Sequence, residues 1–149
     1  MYRDSLDGIR SILSANFPEV TSIYISTVPE TFDRPSFFVR LDTDSQEHLS
    51  KMTYQVDVTW RIVYFPVPDS EGEPDALGQL QVYDQLKELL MENMVVVGPS
   101  GTVYYVVECK GEFRDSEVNV LVRLQAEVTR TQPEYELMNE IQHQQKEED

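Results

Sequence analysis

The carboxylates best placed for acid–base chemistry are Asp57 and Glu127, each on the polar side of a segment that alternates strictly between apolar and polar residues. Two carboxylates divide the roles of general acid and general base only where burial raises the pKa of one of them. Nothing around either residue implies such burial, so both read as solvated or interface charges. His48 and His143 lie far apart, and neither has a cysteine or second histidine at ligand spacing, which argues against zinc. Asp42-Thr43-Asp44 with Glu47 lacks the central glycine of a calcium loop and reads as a polar turn. Cys109 sits in an apolar run and reads as a buried structural thiol rather than a nucleophile. No Gly-x-Ser-x-Gly occurs, and Gly98-Pro99-Ser100-Gly101 lacks the lysine of a phosphate loop, so it reads as a tight turn. No catalytic, cofactor-binding or metal-binding residue is assigned, and an enzyme is the least favoured reading.

The elements that position these residues are read from periodicity. Leu6, Ile9, Ile12, Leu13 and Phe17 recur at helical spacing, which predicts a helix from Tyr2 to Ala15 that ends at Phe17-Pro18. Ile23–Ile25 and Ser36–Leu41 read as strands around a loop bracketed by Pro29 and Pro35, and Asp42 to Ser50 reads as polar and turn-rich. From Met52 to Tyr64 every second residue is apolar, and the same holds from Val118 to Val128. Such runs predict two long strands with one buried and one wetted face. Tyr54, Trp60 and Tyr64 then belong to the core.

Pro66 to Asp75 is an exposed loop by composition, with Asp75 as N-cap of a helix reaching Asn93. Leu80, Tyr83, Leu86, Leu90 and Met91 mark its apolar side, with Val82 and Leu89 beside them. Val95–Val97 is a short extended piece, and Val103–Phe113 is a strand in which Gly111 marks a bulge or bend. Residues 114–117 connect it by a hairpin to the last strand. Beyond Pro133 the chain is polar and acidic; a short helix over Glu134–Gln142 and a disordered end are expected. The fold class is therefore α+β: an antiparallel or mixed sheet with long alternating strands, two main helices packed on one face, and a short C-terminal helix or tail. Residues 1–132 form one domain, with 133–149 as a tail.

A net charge of −15 over 149 residues argues against a nucleic-acid backbone as the principal partner. It suits solubility, or a surface past which DNA slides without sticking. One cysteine excludes an intrachain disulfide. No apolar stretch approaches the roughly 20 residues that span a bilayer. The charged, amphipathic N-terminus is unlike a signal peptide, so an intracellular soluble protein is the expectation.

The opening helix, Phe17-Pro18 leading into Ile23-Tyr24-Ile25, the strand Arg34-Pro35-Ser36-Phe37-Phe38-Val39 and the long Tyr54–Tyr64 strand together resemble the bacteriophage tail terminator and tail completion proteins. The likeness is greatest to those of Gram-positive phages and prophage-derived contractile particles, and it covers residues 1–130. It implies a homo-oligomeric ring, typically a hexamer, on the head-proximal end of the tail tube. Such a ring stops tube polymerisation and docks to the neck or head connector. Its implied partners are the tail-tube protein, a neck or connector protein and, in a contractile particle, the sheath; DNA is a passing, unbound cargo. The implied location is the virion tail or neck, after assembly in the host cytoplasm.

Candidate interface residues follow from faces and loops. Thr53, Gln55, Asp57, Thr59 and Arg61 share the polar face of the long strand, and Arg123 and Glu127 share that of the last strand. Tyr24, Phe38 and Tyr104 fall on the outward parity of their strands, where an aromatic serves an interface. Asp69, Glu71 and Glu73 lie in the 66–75 loop, and Tyr135, Met138 and Ile141 keep a spacing of three in the tail. Two other readings are a connector or tube protein of the same particle, and a monomeric adaptor that binds a peptide along its sheet edge.

Overall fold

The computed structural model describes residues 1–73, 75–114 and 117–130. Helix α1 (Tyr2–Asn16) is followed by strands β1 (Ser22–Ile25), β2 (Ser36–His48) and β3 (Thr53–Phe65). Helix α2 (Ala76–Asn93) leads into β4 (Val95–Val97), β5 (Val103–Arg114) and β6 (Glu117–Thr129). The strands form one mixed sheet in the order β1-β2-β3-β6-β5-β4, with β1 parallel to β2 and every other neighbour antiparallel. This is the expected α+β fold, and the described part of the 114–117 connection joins antiparallel neighbours as the sequence predicts.

The core follows from the two alternating strands. Val56, Val58, Trp60 and Ile62 on β3 and Val118, Val120, Val122, Leu124 and Ala126 on β6 are buried on the face that carries both helices. Leu6, Ile9, Leu13 and Phe17 of α1 pack there, Phe17 meeting Phe37 edge-on at 5.3 Å between ring centroids. The indole N–H of Trp60 donates to Ser5 Oγ at 3.0 Å, satisfying the one polar atom that the ring carries into the core. Asp75 caps α2, its carboxylate accepting from the Gly78 N–H at 3.1 Å. Close approaches at Gly8 and Gly111 depend on missing side chains. A Cβ at Gly8 would lie 2.9 Å from the Val97 carbonyl oxygen, and one at Gly111 would lie 2.6 Å from Tyr83 Oη.

Four sequence expectations are corrected. The polar turn over Asp42–Ser50 is strand as far as His48, paired with β3 down to His48↔Tyr54. It reads as loop because both of its faces are exposed, so no hydrophobic alternation is required of it. The bulge in β5 lies between Val106 and Glu108, not at Gly111, which instead makes room for the Tyr83 ring. Tyr104 is 2% exposed rather than outward, because that bulge reverses the alternation and puts Tyr104 and Cys109 on the same face. On α2, Leu80 and Met91 are exposed while Gln79, Leu86 and Leu90 are buried. A helix with leucines on several sides does not identify its own packed face. The expected C-terminal helix and tail, with Tyr135, Met138 and Ile141, lie outside the described residues.

Candidate functional site

The sheet face opposite the helices collects most of the candidate interface residues. The β3–β6 register sets Thr53 opposite Thr129, Gln55 opposite Glu127, Asp57 opposite Gln125 and Thr59 opposite Arg123. Arg123 grips the Asp57 carboxylate in two-pronged fashion, Nε to Oδ1 at 3.0 Å and Nη2 to Oδ2 at 2.8 Å, and Gln125 Nε2 adds a third bond at 2.8 Å. The Arg123 hydrogen bonds hold the Asp57 carboxyl below the usual carboxylate range against an opposing burial effect. A general acid needs the reverse shift, so Asp57 is built as a structural anion.

A second hub lies four residues along β3. Arg61 donates to Glu112 Oε2 at 2.8 Å on β5 and to Asn119 Oδ1 at 3.3 Å on β6. Its Nη2 also donates to Asp42 Oδ1 at 3.1 Å on β2. Four strands are thereby tied across the wetted face. Glu112 foremost, then Asp42, raises the already high pKa of Arg61 against partial desolvation. Sequence reasoning placed Arg61 on this face but missed the hub, because Asp42 was assigned to a turn.

At one end of this face the chain covers its own apolar residues. Tyr24 and Phe38 are half-buried, Tyr24 Oη accepting from the Asp33 N–H at 2.9 Å and its ring meeting Phe32 edge-on. The Arg34 guanidinium stacks over Phe32 and Phe65. Val63 and Asn119, though on the wetted side by alternation, are buried here. A recess of about 410 Å³ opens among Val28, Phe38, Arg40, Phe65 and Glu117. Among the described residues the opposite end is uncovered: Val97, Val103, Tyr105 and Val107 are exposed, Tyr105 by 59%. Exposed apolar groups collected in one place mark contact surfaces.

The N-terminus is clamped to the β4–β5 turn. Asp4 accepts from the Ser100 N–H at 3.0 Å, Ser100 Oγ at 2.8 Å and Tyr104 Oη at 2.8 Å. Desolvation pushes the Asp4 carboxyl up, but these bonds outweigh it and hold the carboxyl below its ordinary value. Burial, then Asp4 itself, drives the Tyr104 phenol far up, so it stays a donor. In the 66–75 loop Asp69 Oδ1 accepts from the N–H groups of Glu71 and Glu73, leaving all three side chains at the surface. Burial pushes the Cys109 thiol up, against a smaller opposing effect of Lys87, which suits a packing role rather than a nucleophile. Among the described residues no group of three His, Cys, Asp or Glu is placed to hold a metal ion. No described helix is long and apolar enough to cross a membrane.

Among the described residues both sheet ends are open. Among the described residues β1 covers β2 only over Ser36–Val39, leaving one edge of Arg40–His48 without a strand partner. Beyond the Val106 N–H bond to Met94, the same is true of β5 from Val107. The organised side chains thus tie strands and turns together, and the surfaces left available among the described residues are edges and faces. The chain belongs to the phage tail terminator protein family, whose model matches residues 4–136, and it is a component of the phage tail. A search of curated proteins finds no relative. One similar solved structure, which bears no functional name, is 16% identical over 86% of this chain and 97% of its own, with a TM-score of 0.43. A likeness of that degree carries no functional argument.

Proposed function

We propose that the protein assembles as a ring, hexameric as in the resembling family, on the head-proximal end of the tail tube. There it ends tube polymerisation and presents its other side to the neck or head connector. Membership of the tail terminator family is the observation that carries this reading. The shape of the chain supports it: a head-to-tail ring needs two different surfaces on each protomer, and the two sheet ends differ in strand, charge and apolar content. The polar sheet face, with Thr53, Gln55, Asp57, Thr59, Arg61, Arg123 and Glu127, is a candidate contact or lumen surface. The acidic excess would let DNA pass a lumen without sticking. Assembly in the host cytoplasm, a contractile particle and a sheath contact belong to the same proposal.

The 66–75 loop, with Asp69, Glu71 and Glu73, and residues 133–149, with Tyr135, Met138 and Ile141, are proposed to reach a neighbouring subunit or ring. Normal rings and finished tails from a chain lacking residues 133–149 would remove the tail from this account. The ring reading itself is tested by polymerising tail-tube protein with and without this chain. A narrow distribution of short tubes in its presence supports termination. Unchanged growth opposes it, and incorporation along the tube wall would make the chain a tube protein instead.

A further inference from the structure

The sheet register exposes a step at each end, and the two steps match. Heights along the sheet can be read on β3, since antiparallel partners lie level with each other. β1 stands level with Ile62–Phe65, through Ser22↔Ser36↔Phe65 and Ile25↔Val39↔Ile62. The free half of β2, Arg40–His48, is level with Arg61 down to Tyr54. At the other end β4 begins level with Asp57, through Val95↔Tyr105↔Gln125↔Asp57, and continues away from β1's level. The free half of β5, Val107–Arg114, covers the remaining height up to Phe113↔Val118↔Tyr64. Where one end protrudes, the other is recessed.

We infer that copies of this chain join through these steps as a lap joint. β4 of one copy seats on the free half of the next copy's β2, and that copy's β1 seats on the free half of the first copy's β5. The inference rests on the ring reading above and adds which strands meet. Strand sense is compatible: the first contact is parallel and the second antiparallel, both hydrogen-bonding geometries that continue the sheet.

Side-chain chemistry agrees with a second copy as the occupant. Along the free half of β2, Asp42 and Glu47 lie on the wetted face, and Asp44, Gln46 and His48 lie on the helix side. Beside β4, a groove of about 510 Å³ runs between that strand's end and the flank of α1 that bears Arg10, Ser11 and Ser14. Asp7 also lines this groove and is paired with both Arg3 and Arg10 of α1, so the groove is polar. In a continued sheet Asp44, Gln46 and His48, which face the helix side opposite Val58, Val56 and Tyr54, come under this groove; within their own chain Asp44 already accepts from Tyr2 Oη and His48 meets Arg130. At the other half the helix-side residues of β1 are Ile23 and Ile25, and they meet Phe113, which is 57% exposed at the rim of β5. Polar residues thus face a polar groove, and the apolar Ile23 and Ile25 face the exposed ring of Phe113.

Engineered disulfides test the joint in a Cys109→Ser background. Glu47→Cys and Val97→Cys, and separately Ser45→Cys and Val95→Cys, lie on the same sheet face at matching heights. Disulfides require Cα atoms within about 7 Å. Mixing the two single variants of either pair under mild oxidation is expected to give a covalent dimer. Each double variant should give a ladder ending at the ring, at least tenfold above a Thr59→Cys/Val95→Cys control. Rings by native mass without cross-links above the control in either pair would overturn the lap joint and leave the ring standing. A chain that remains monomeric would overturn both.

Discussion

Asp57 and Arg123 are held in a two-pronged ion pair across β3 and β6, with both carboxylate oxygens engaged at 2.8–3.0 Å. The pairing decides what the most catalytic-looking carboxylate of the chain does: its proton affinity is lowered, and it fastens the wetted face of the two central strands. Because the folded-state pKa lies below the unfolded one, the pair's contribution is complete above about pH 4. It is lost as pH falls through the lower, folded value. Asp57→Asn is therefore expected to flatten the fall in urea midpoint between about pH 5 and about pH 2.5. An unchanged acid slope would show that the pair does not couple to folding.

Asp4 joins the N-terminus to the β4–β5 turn through Ser100 and Tyr104. Asp4→Asn should speed hydrogen exchange at the Ser100 amide at neutral pH while leaving core amides of β3 protected. Equal acceleration throughout would mean that the clamp supports the whole fold rather than the turn.

Trp60 is the only tryptophan, and its indole N–H is satisfied by Ser5 within the core. Its emission should be blue-shifted in the native protein and move to the red on unfolding. Ser5→Ala leaves the buried N–H unpaired and is expected to cost about 1–3 kcal/mol, read from the same fluorescence signal in urea.

Two of the crowded glycines, Gly8 and Gly111, should respond differently to alanine. At Gly8 the obstacle is the Val97 backbone carbonyl as well as the Val96 side chain, so the helix must move; about 1–3 kcal/mol of destabilisation is expected. At Gly111 the obstacle is the Tyr83 ring, which can swing away. Gly8→Ala should therefore have the lower denaturation midpoint of the two.

The fold was legible wherever one side of an element had to be apolar. The alternation of Val56–Ile62 and Val118–Ala126 and the stripe Leu6–Ile9–Leu13–Phe17 fixed a sheet with helices on one face, as found. Legibility failed where that demand lapses. Asp42–His48 is polar on both sides, so nothing in its pattern distinguishes a strand from a turn, yet it supplies Asp42 to the Arg61 hub. One extra residue between Val106 and Glu108 was enough to put Tyr104 on the wrong face. The burial of Val63 depends on a segment distant in sequence folding over it, which periodicity does not encode. The stepped sheet ends were out of reach for the same reason, since they exist only once all six strands are in register.

The most direct test of the account is the native mass of the purified protein, alone and after mixing with polymerising tail-tube protein, followed by negative-stain imaging of the mixture. Closed rings, six copies each by the family resemblance, are expected, seated at one end of tubes that have stopped growing. A monomer that leaves tube growth unchanged would contradict this.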